Sequence, residues 1–583
     1  MTTSQSAAPV PWLASYPDGV DWAAPISEEP LTEAFDRTVA AHGEWACIDF
    51  LGKVYSYREI GALVNRAAKG LQELGVSRGV NVGLLLPNTP YFVICYYAIL
   101  KAGGTVVNFN PLYVQEEIDR QAEDSQTRIM VTLDVQALLP KASAARANTG
   151  LEKVVVCSMA QALPFPKNLL YPIAKRKDVA RVPKDGHHLD FAALIANDGA
   201  YEPVQIRPRE DVAVLQYTGG TTGTSKGAML THANIAVNAR QVRMWNPDAG
   251  EEQERILAVL PFFHVFAMTV AMNQAALSGA EMVLLPRFEL DATLKLIQTK
   301  RPTMFPGVPT IYNAINHHPA LDRHDLSSID LCISAGAPLP REVRDAFEKR
   351  TGCRLLEGYG LTEASPTVTC NPVQGGGKPG SVGVPMPGTT VEIHDMDNPG
   401  RTLPPGEKGE ICVRGPQVMA GYWNRPEETA RALAGGVLHT GDVGTMDADG
   451  YLFLVDRIGD LIICSGLNVY PGAIEAAIYR HPAVLEVTVI GVPDDYRGEA
   501  PKAFVRLKQG AELGAEELLE FLQDKLARFE LPRDVEFRDE LPKTFIGKLS
   551  KKELVAEELA KRAPAAGGDR AAAEPAANHP GGG

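Results

Sequence analysis

Residues Val212 to Gly227 read VAVLQYTGGTTGTSKG, an apolar run that passes without a break into a loop of glycine, threonine and serine. Val212 to Tyr217 predicts a buried strand. Thr218 to Gly227 (TGGTTGTSKG) can present several backbone N–H groups and four threonine hydroxyls to phosphate oxygens, because glycine permits close approach. Lys226 adds a positive charge. The pattern is not a Walker A loop, which needs Gly-Lys-Ser/Thr; here Ser225 precedes Lys226 and Gly227 follows it. A polar surface turn is the alternative, but so dense a loop on a strand end favours phosphate contact.

Working outward, the first half of the chain repeats helix, apolar strand and turn. Tyr57 to Leu74 has helical spacing of Ile60, Leu63, Val64, Ala67 and Leu71, and Gly75 ends it. Asn81 to Leu86 and Thr105 to Phe109 are apolar strands around a second helical run, Thr89 to Lys101. The same grammar recurs at Arg255 to Leu260, Glu281 to Leu285, Thr303 to Phe305 and Ile329 to Ser334. Strands apolar throughout, alternating with amphipathic helices, predict parallel sheets covered on both faces. After Cys370 the chain becomes rich in Gly and Pro (Asn371 to Gly383, Asn398 to Gly409), as in a small β subdomain.

A boundary is expected near Asp456. Beyond it come a helix at Pro471 to Arg480, strands at Val484 to Val492 and Ala503 to Leu507, a helix at Gly514 to Ala527 and a last helix near Leu549. The fold class is therefore α/β, with a large multi-subdomain N-terminal domain (1–456) of two α/β sheets plus a small β subdomain. A small α+β C-terminal domain (457–560) follows, and 561–583 is expected to be a disordered tail.

The chain has 583 residues, 45% of them apolar and 22% charged, which fits a globular protein of several domains. A net charge of −14 argues against nucleic acid as a partner. The eight cysteines are scattered, with no CxxC pair or Cys/His cluster, so neither a disulfide framework nor a zinc site is indicated. A reducing, cytoplasmic compartment fits them best. The first residues, MTTSQSAAPVPWLASYPDGVDW, have no basic start and no apolar run, and no signal peptide is expected. Tyr91 to Leu100 (YFVICYYAIL) falls well short of the roughly 20 residues that span a bilayer. Polar residues interrupt Ile256 to Leu285, which reads as buried strand, loop and helix.

The run YTGGTTGTSKGAMLTH (Tyr217–His232) resembles the phosphate loop of the acyl-adenylate-forming superfamily. Further motifs follow in that superfamily's order: LPFFHVFAM (Leu260–Met268), SAGAPLP (Ser334–Pro340), EGYGLTE (Glu357–Glu363), HTGD (His439–Asp442), VDRIGDLIICSGLNVYP (Val455–Pro471) and LPKTFIGKLSKKEL (Leu541–Leu554). The likeness spans roughly residues 30 to 555, and is greatest to bacterial long-chain fatty-acyl-CoA synthetases.

The resemblance implies a two-step ligase. Acid and ATP give acyl-AMP and pyrophosphate, then CoA thiolate gives acyl-CoA and AMP. A medium- to long-chain fatty acid is the expected substrate. An aryl acid of the coumarate type, or a carrier protein as acceptor, is the alternative.

By the same resemblance, Thr218, Gly219, Gly220, Thr221, Thr222, Gly223 and Lys226 hold the phosphates. Glu363 and Thr218 are the expected Mg²⁺ ligands, and Thr362 contacts the α-phosphate. Gly336, Ala337, Pro338, Gly358 and Gly360 flank the adenine, with Tyr359 stacked on it, and Glu357 is counted among the ATP/AMP-binding residues. Asp442 and Arg457 bind the ribose, though Asp442 in Thr-Gly-Asp could also be a turn cap. Lys548 is the expected catalytic lysine; unaided, it reads as one of a solvated cluster with Lys543, Lys551 and Lys552.

Phe263, His264 and Met268 are assigned to the acyl pocket, with a satisfied core histidine as the alternative for His264. Met268 stands where some long-chain enzymes have a gating Trp. Ser465 and Gly466 are assigned to the CoA channel. Gly459 occupies the hinge position, where the family usually has Lys or Asp, and the small domain is expected to turn about it. Segment 165–184 carries six basic residues against one acidic, interleaved with Phe165, Leu169, Leu170, Tyr171 and Ile173. Two readings stay open for it: an exposed basic loop, or a surface that lies against anionic lipid. A homodimer is carried as a further expectation.

Overall fold

A computed structural model describes residues 10–218, 225–248, 252–464, 467–494, 497–544 and 548–562. The tail from residue 563 onward lies outside them. The chain divides into two compact units, Met1–Gly459 with Thr544–Lys548, and Asp460–Lys543 with Leu549–Gly583.

Among the described residues, the larger unit holds two large sheets. In one, the central strands Arg354–Gly360, Leu331–Ser334, Met304–Gly307, Arg255–Ala258, Glu281–Leu284 and Ala46–Phe50 run in that spatial order and are mutually parallel. The other places Val212–Thr218, Thr105–Asn108, Asn81–Leu84, Thr127–Leu133 and Lys153–Cys157 side by side, again parallel. The strands read as nearly unbroken burial, as sheets covered on both faces require.

The expectation of parallel strands fails at the edges. Lys226–Thr231 returns antiparallel to Val212–Thr218, and Thr367–Cys370 antiparallel to Arg354–Gly360. The connection between Thr218 and Lys226 is shorter than the dozen or so residues a parallel crossover needs, so only a hairpin can form.

Helices start where their chemistry says they should. Ser56 caps Tyr57–Glu73 in a reciprocal box with Glu59, and Thr231 caps His232–Met244 with Asn234. Pro90 opens the helix Pro90–Lys101, every residue of which is buried. The YFVICYYAIL run is therefore core, its last turn anchored by Lys101 Nζ on Asp36 and Asn65. No helix among the described residues is long and apolar enough to cross a membrane.

The Gly/Pro-rich region forms a separate antiparallel sheet of Thr390–His394, Gly409–Arg414, Leu438–Met446 and Leu452–Arg457. The smaller unit pairs Val484–Asp494 with Gly498–Leu507 and adds short strands at Ile462–Cys464, Leu467–Val469 and Asp534–Phe537. Helices Pro471–Tyr479, Ala515–Leu522 and Lys551–Arg562 accompany them. Its core gathers Ile474, Val487, Val489, Val505, Leu518 and Leu522.

Candidate active site

The site grows from the hairpin that carries the Thr/Gly loop. Thr218 and Lys226 face each other across it, and Ser225 Oγ donates to the Thr218 carbonyl at 2.5 Å. Gly219, Gly220, Thr221, Thr222 and Gly223 lie outside the described residues. The base of the hairpin is braced by Asp124: Tyr217 Oη donates to its Oδ2 at 2.6 Å, and Arg425 Nη2 to its Oδ1 at 2.5 Å. Burial and that carboxylate push the Tyr217 phenol up, so it remains a donor.

Glu363 sits on a one-turn helix, Thr362–Ala364, between Arg354–Gly360 and Thr367–Cys370. Its backbone carbonyl accepts from Met419 N, and its Oε1 accepts from Tyr422 Oη at 2.8 Å. Gly421–Tyr422 pairs with Ala228 and Met229 on the returning strand of the hairpin, and the Tyr422 ring lies 5.3 Å from Lys226 Nζ. One tyrosine thus ties the acidic turn of one sheet to the basic end of the loop on the other.

The adenine-type motifs are joined by Glu357. Its Oε1 accepts the Leu339 N–H at 2.9 Å, which locks the loop containing Gly336, Ala337 and Pro338 to the strand containing Gly358, Tyr359 and Gly360. Burial pushes the Glu357 carboxyl up to about 7. Gly336 has φ +87°, and a Cβ on Gly360 would lie 2.2 Å from the Pro366 carbonyl, so glycine is required at both.

Asp442 is buried, and both of its oxygens are aimed. Tyr359 Oη donates to Oδ2 at 2.6 Å, and Arg457 Nε lies 3.0 Å from Oδ1. Cross-strand register puts Asp442 opposite Arg457. The turn-cap contact runs the other way, with the Asp442 N–H donating to Thr440 Oγ1. Each carboxylate oxygen has a second lone pair, so two vicinal hydroxyls can still be bound.

Phe263 and Met268 are buried and His264 is half-buried on the stretch after Arg255–Ala258. A polar row fixes them: Asn108 Nδ2 donates to Gln216 Oε1 and to Met268 Sδ (3.3 Å), and Gln216 Nε2 donates to the Phe263 carbonyl. Met268 is the first residue of a π-helical turn, Met268–Asn273, a distortion common at functional sites. His264 Nδ1 accepts from Phe266 N. Burial, with the positive charge of Lys548, lowers its imidazole to about 4, so His264 is neutral at physiological pH.

The Lys548 N–H donates to Thr544 Oγ1, and its carbonyl accepts from Thr544 N at 2.6 Å. Two of its sequence neighbours are engaged elsewhere: Lys543 pairs with Glu486 at 2.6 Å, and Lys551 with Glu475 at 3.4 Å. Gly459 lies in the one-turn helix Ile458–Asp460. Ser465 and Gly466 lie outside the described residues.

Residues 35–423 match the AMP-binding enzyme family, and residues 473–548 match its C-terminal domain. The chain belongs to the AMP-binding enzyme family. A long-chain-fatty-acid–CoA ligase of Bacillus subtilis is 44% identical over 94% of this chain and 98% of its own length. A feruloyl-CoA synthase of Amycolatopsis is 36% identical over 86% and 94%. An anthranilate CoA ligase solved with anthranoyl-AMP has a TM-score of 0.80 at 28% identity, covering 92% of this chain and 99% of that one.

In this AMP-binding enzyme, sequence reading missed Tyr422, Asp124 and Arg425. The run GYWNRPEET (Gly421–Thr429) was the available signal, since an aromatic pair before a helix start rarely serves no contact. Glu363 offers the hard oxygen that Mg²⁺ prefers, already oriented by Tyr422 Oη.

Proposed function

We propose that this enzyme joins a medium- to long-chain fatty acid to CoA through an acyl-AMP. The observation that carries the reading is the Tyr422 bridge between Glu363 and the Lys226 end of the loop. It brings a carboxylate able to hold a metal ion to the lysine end of the phosphate loop, while neutral His264 and Met268, held by Asn108, lie on the stretch assigned to the acyl group.

In the first step a carboxylate oxygen forms a bond to the α-phosphorus, and the bond to pyrophosphate breaks. Two anions must meet, so preorganised positive charge and N–H donors lower the barrier. Glu363 and Thr218 would hold Mg²⁺, which would supply charge neutralisation at the phosphates. Thr362 and Lys548 attend the α-phosphate, and Asp442, Tyr359 and Arg457 hold the nucleoside. A neutral imidazole at His264 admits the acid without trapping it in an ion pair. In the second step the CoA sulfur bonds to the acyl carbon, the C–O bond to AMP breaks, and the thiol proton is lost.

Pyrophosphate exchange over acids from C4 to C18 plus coumarate, followed by a CoA-dependence test, checks this. Exchange should peak with alkyl acids of medium to long chain. A peak at coumarate would instead support the aryl-acid reading, which the 36% identity to a feruloyl-CoA synthase favours.

Segment 165–184 supports peripheral attachment to anionic lipid. In the helix Lys167–Ala174 no residue is buried, and Phe165 and Ile173 are 79% and 76% exposed. Exposed apolar side chains among six basic residues suit a bilayer interface better than water. Wild type should float with phosphatidylglycerol-containing liposomes at low salt. A charge-reversed segment should not, and equal flotation of the two would remove the idea.

A further inference from the structure

His394, Cys412 and His439 are separated by 18 and 27 residues in the sequence, too widely for any metal-binding spacing to be visible there. The antiparallel sheet brings them together. Glu392 lies opposite Cys412, Cys412 opposite His439, and His394 opposite Glu410. Side chains two apart on a strand share a face, and directly opposed residues share it across strands, so all five project to one side. One donor atom each from His394, Cys412 and His439 lies within 4.8 Å of the others.

The local geometry suits a borderline-soft divalent cation. Cys412 Sγ and His439 Nδ1 are 3.5 Å apart. A tetrahedron with metal–S of about 2.3 Å and metal–N of about 2.0 Å has an S–N edge of roughly 3.5 Å. His394 Nδ1 lies 2.6 Å from the Pro399 carbonyl, which can only accept. Nδ1 therefore carries a hydrogen; Nε2 faces the cluster and Glu392 Oε2 at 2.9 Å, so a cation binding there displaces the Nε2 proton. A histidine fixed through its other nitrogen to a carbonyl is the usual arrangement of a metal ligand. Glu392 and Glu410 lie beside the cluster, and their carboxylates would balance the charge of a bound cation.

We propose that His394, Cys412 and His439 form a Zn²⁺ site, with water or the near oxygen of Glu410 as the fourth ligand. Magnesium does not suit a thiolate and two imidazoles, whereas zinc does. The site also has a line to the nucleotide. Glu410 Oε2 lies 2.8 Å from His439 Nδ1, while its Oε1 accepts the Gly441 N–H at 3.0 Å, immediately before Asp442. Zinc drawing Glu410 inward loosens that turn and weakens nucleoside binding. This coupling, unlike the site itself, rests on the ribose role proposed for Asp442.

Metal-stripped enzyme is titrated with Co²⁺ and then Zn²⁺, with near-UV circular dichroism confirming the fold of each variant. One equivalent of Co²⁺ should raise a thiolate-to-cobalt charge-transfer band that one equivalent of Zn²⁺ removes. Cys412→Ser should abolish the band, and His394→Gln and His439→Gln should each weaken Zn²⁺ binding at least tenfold. No band in the wild type, or a band that survives in Cys412→Ser or is unaltered in His439→Gln, overturns the site. In a second arm, one equivalent of Zn²⁺ should raise the Kd for AMP at least threefold in wild type and leave it unchanged in Cys412→Ser. Zinc binding with an unchanged Kd overturns the coupling alone, while metal-free enzyme that fails to bind AMP overturns the reading of Asp442.

Discussion

Glu357 shows how a motif residue can act at one remove from the ligand. Its carboxyl is held at about 7 by burial, yet its Oε1 accepts a backbone N–H that joins two nucleotide-type motifs. The folded value lies above the ordinary 4.5, so the folded state binds this proton more tightly than the unfolded one. The associated stability is fully present below about pH 4.5 and is lost as pH rises through 7. At about 1.36 kcal/mol per unit, the shift from 4.5 to about 7 is worth at most about 3 kcal/mol. Glu357→Gln keeps the acceptor without the charge. Its melting temperature should therefore gain on wild type between pH 5 and pH 7.5, and parallel pH profiles for the two would refute the linkage. The motif EGYGLTE marked this glutamate in the sequence, but not whether its carboxylate faces nucleotide or protein. That depends on Leu339, eighteen residues away and on another element.

At the scale of elements, the turn between Arg354–Gly360 and Thr367–Cys370 positions the acidic residue. Gly360 packs directly against the Pro366 carbonyl, which draws the two strands together and sets Thr362–Ala364 at their crossing. Gly360→Ala forces these strands apart, and overpacking of this kind costs typically about 1–3 kcal/mol. Adenylation should suffer more than global stability, because Glu363 moves with the turn. The check is pyrophosphate exchange set against urea unfolding; a variant with normal exchange would show that the close approach is incidental. The strands themselves were legible, since burial on both faces leaves runs of apolar residues. The antiparallel returns were less so: strand direction leaves no periodicity, and only the length of the Thr218–Lys226 connection discloses it.

At the scale of the whole molecule, Lys548 lies more than 300 residues after the loop that first suggests phosphate chemistry. Under the proposed function its charge is needed while the α-phosphorus is attacked and not afterwards. Lys548→Ala should therefore lower adenylate formation by at least about 100-fold (some 2.7 kcal/mol of transition-state stabilisation). Thioester formation from supplied acyl-adenylate and CoA should be nearly untouched. Equal loss of both half-reactions would defeat this division of labour. By itself the sequence determined the class of the chain, its strands and helices, its loop chemistry and the ordered motifs, because each is written in residues close along the backbone. Only the tertiary structure decided that Tyr422 meets Glu363, that both oxygens of Asp442 are engaged, and that His394, Cys412 and His439 converge. Those meetings are set by cross-strand register and sheet order, which bring distant residues to one point and leave no trace in local spacing. The absence of any Cys/His spacing was a true reading of the chain, and the convergence of His394, Cys412 and His439 becomes visible only in three dimensions.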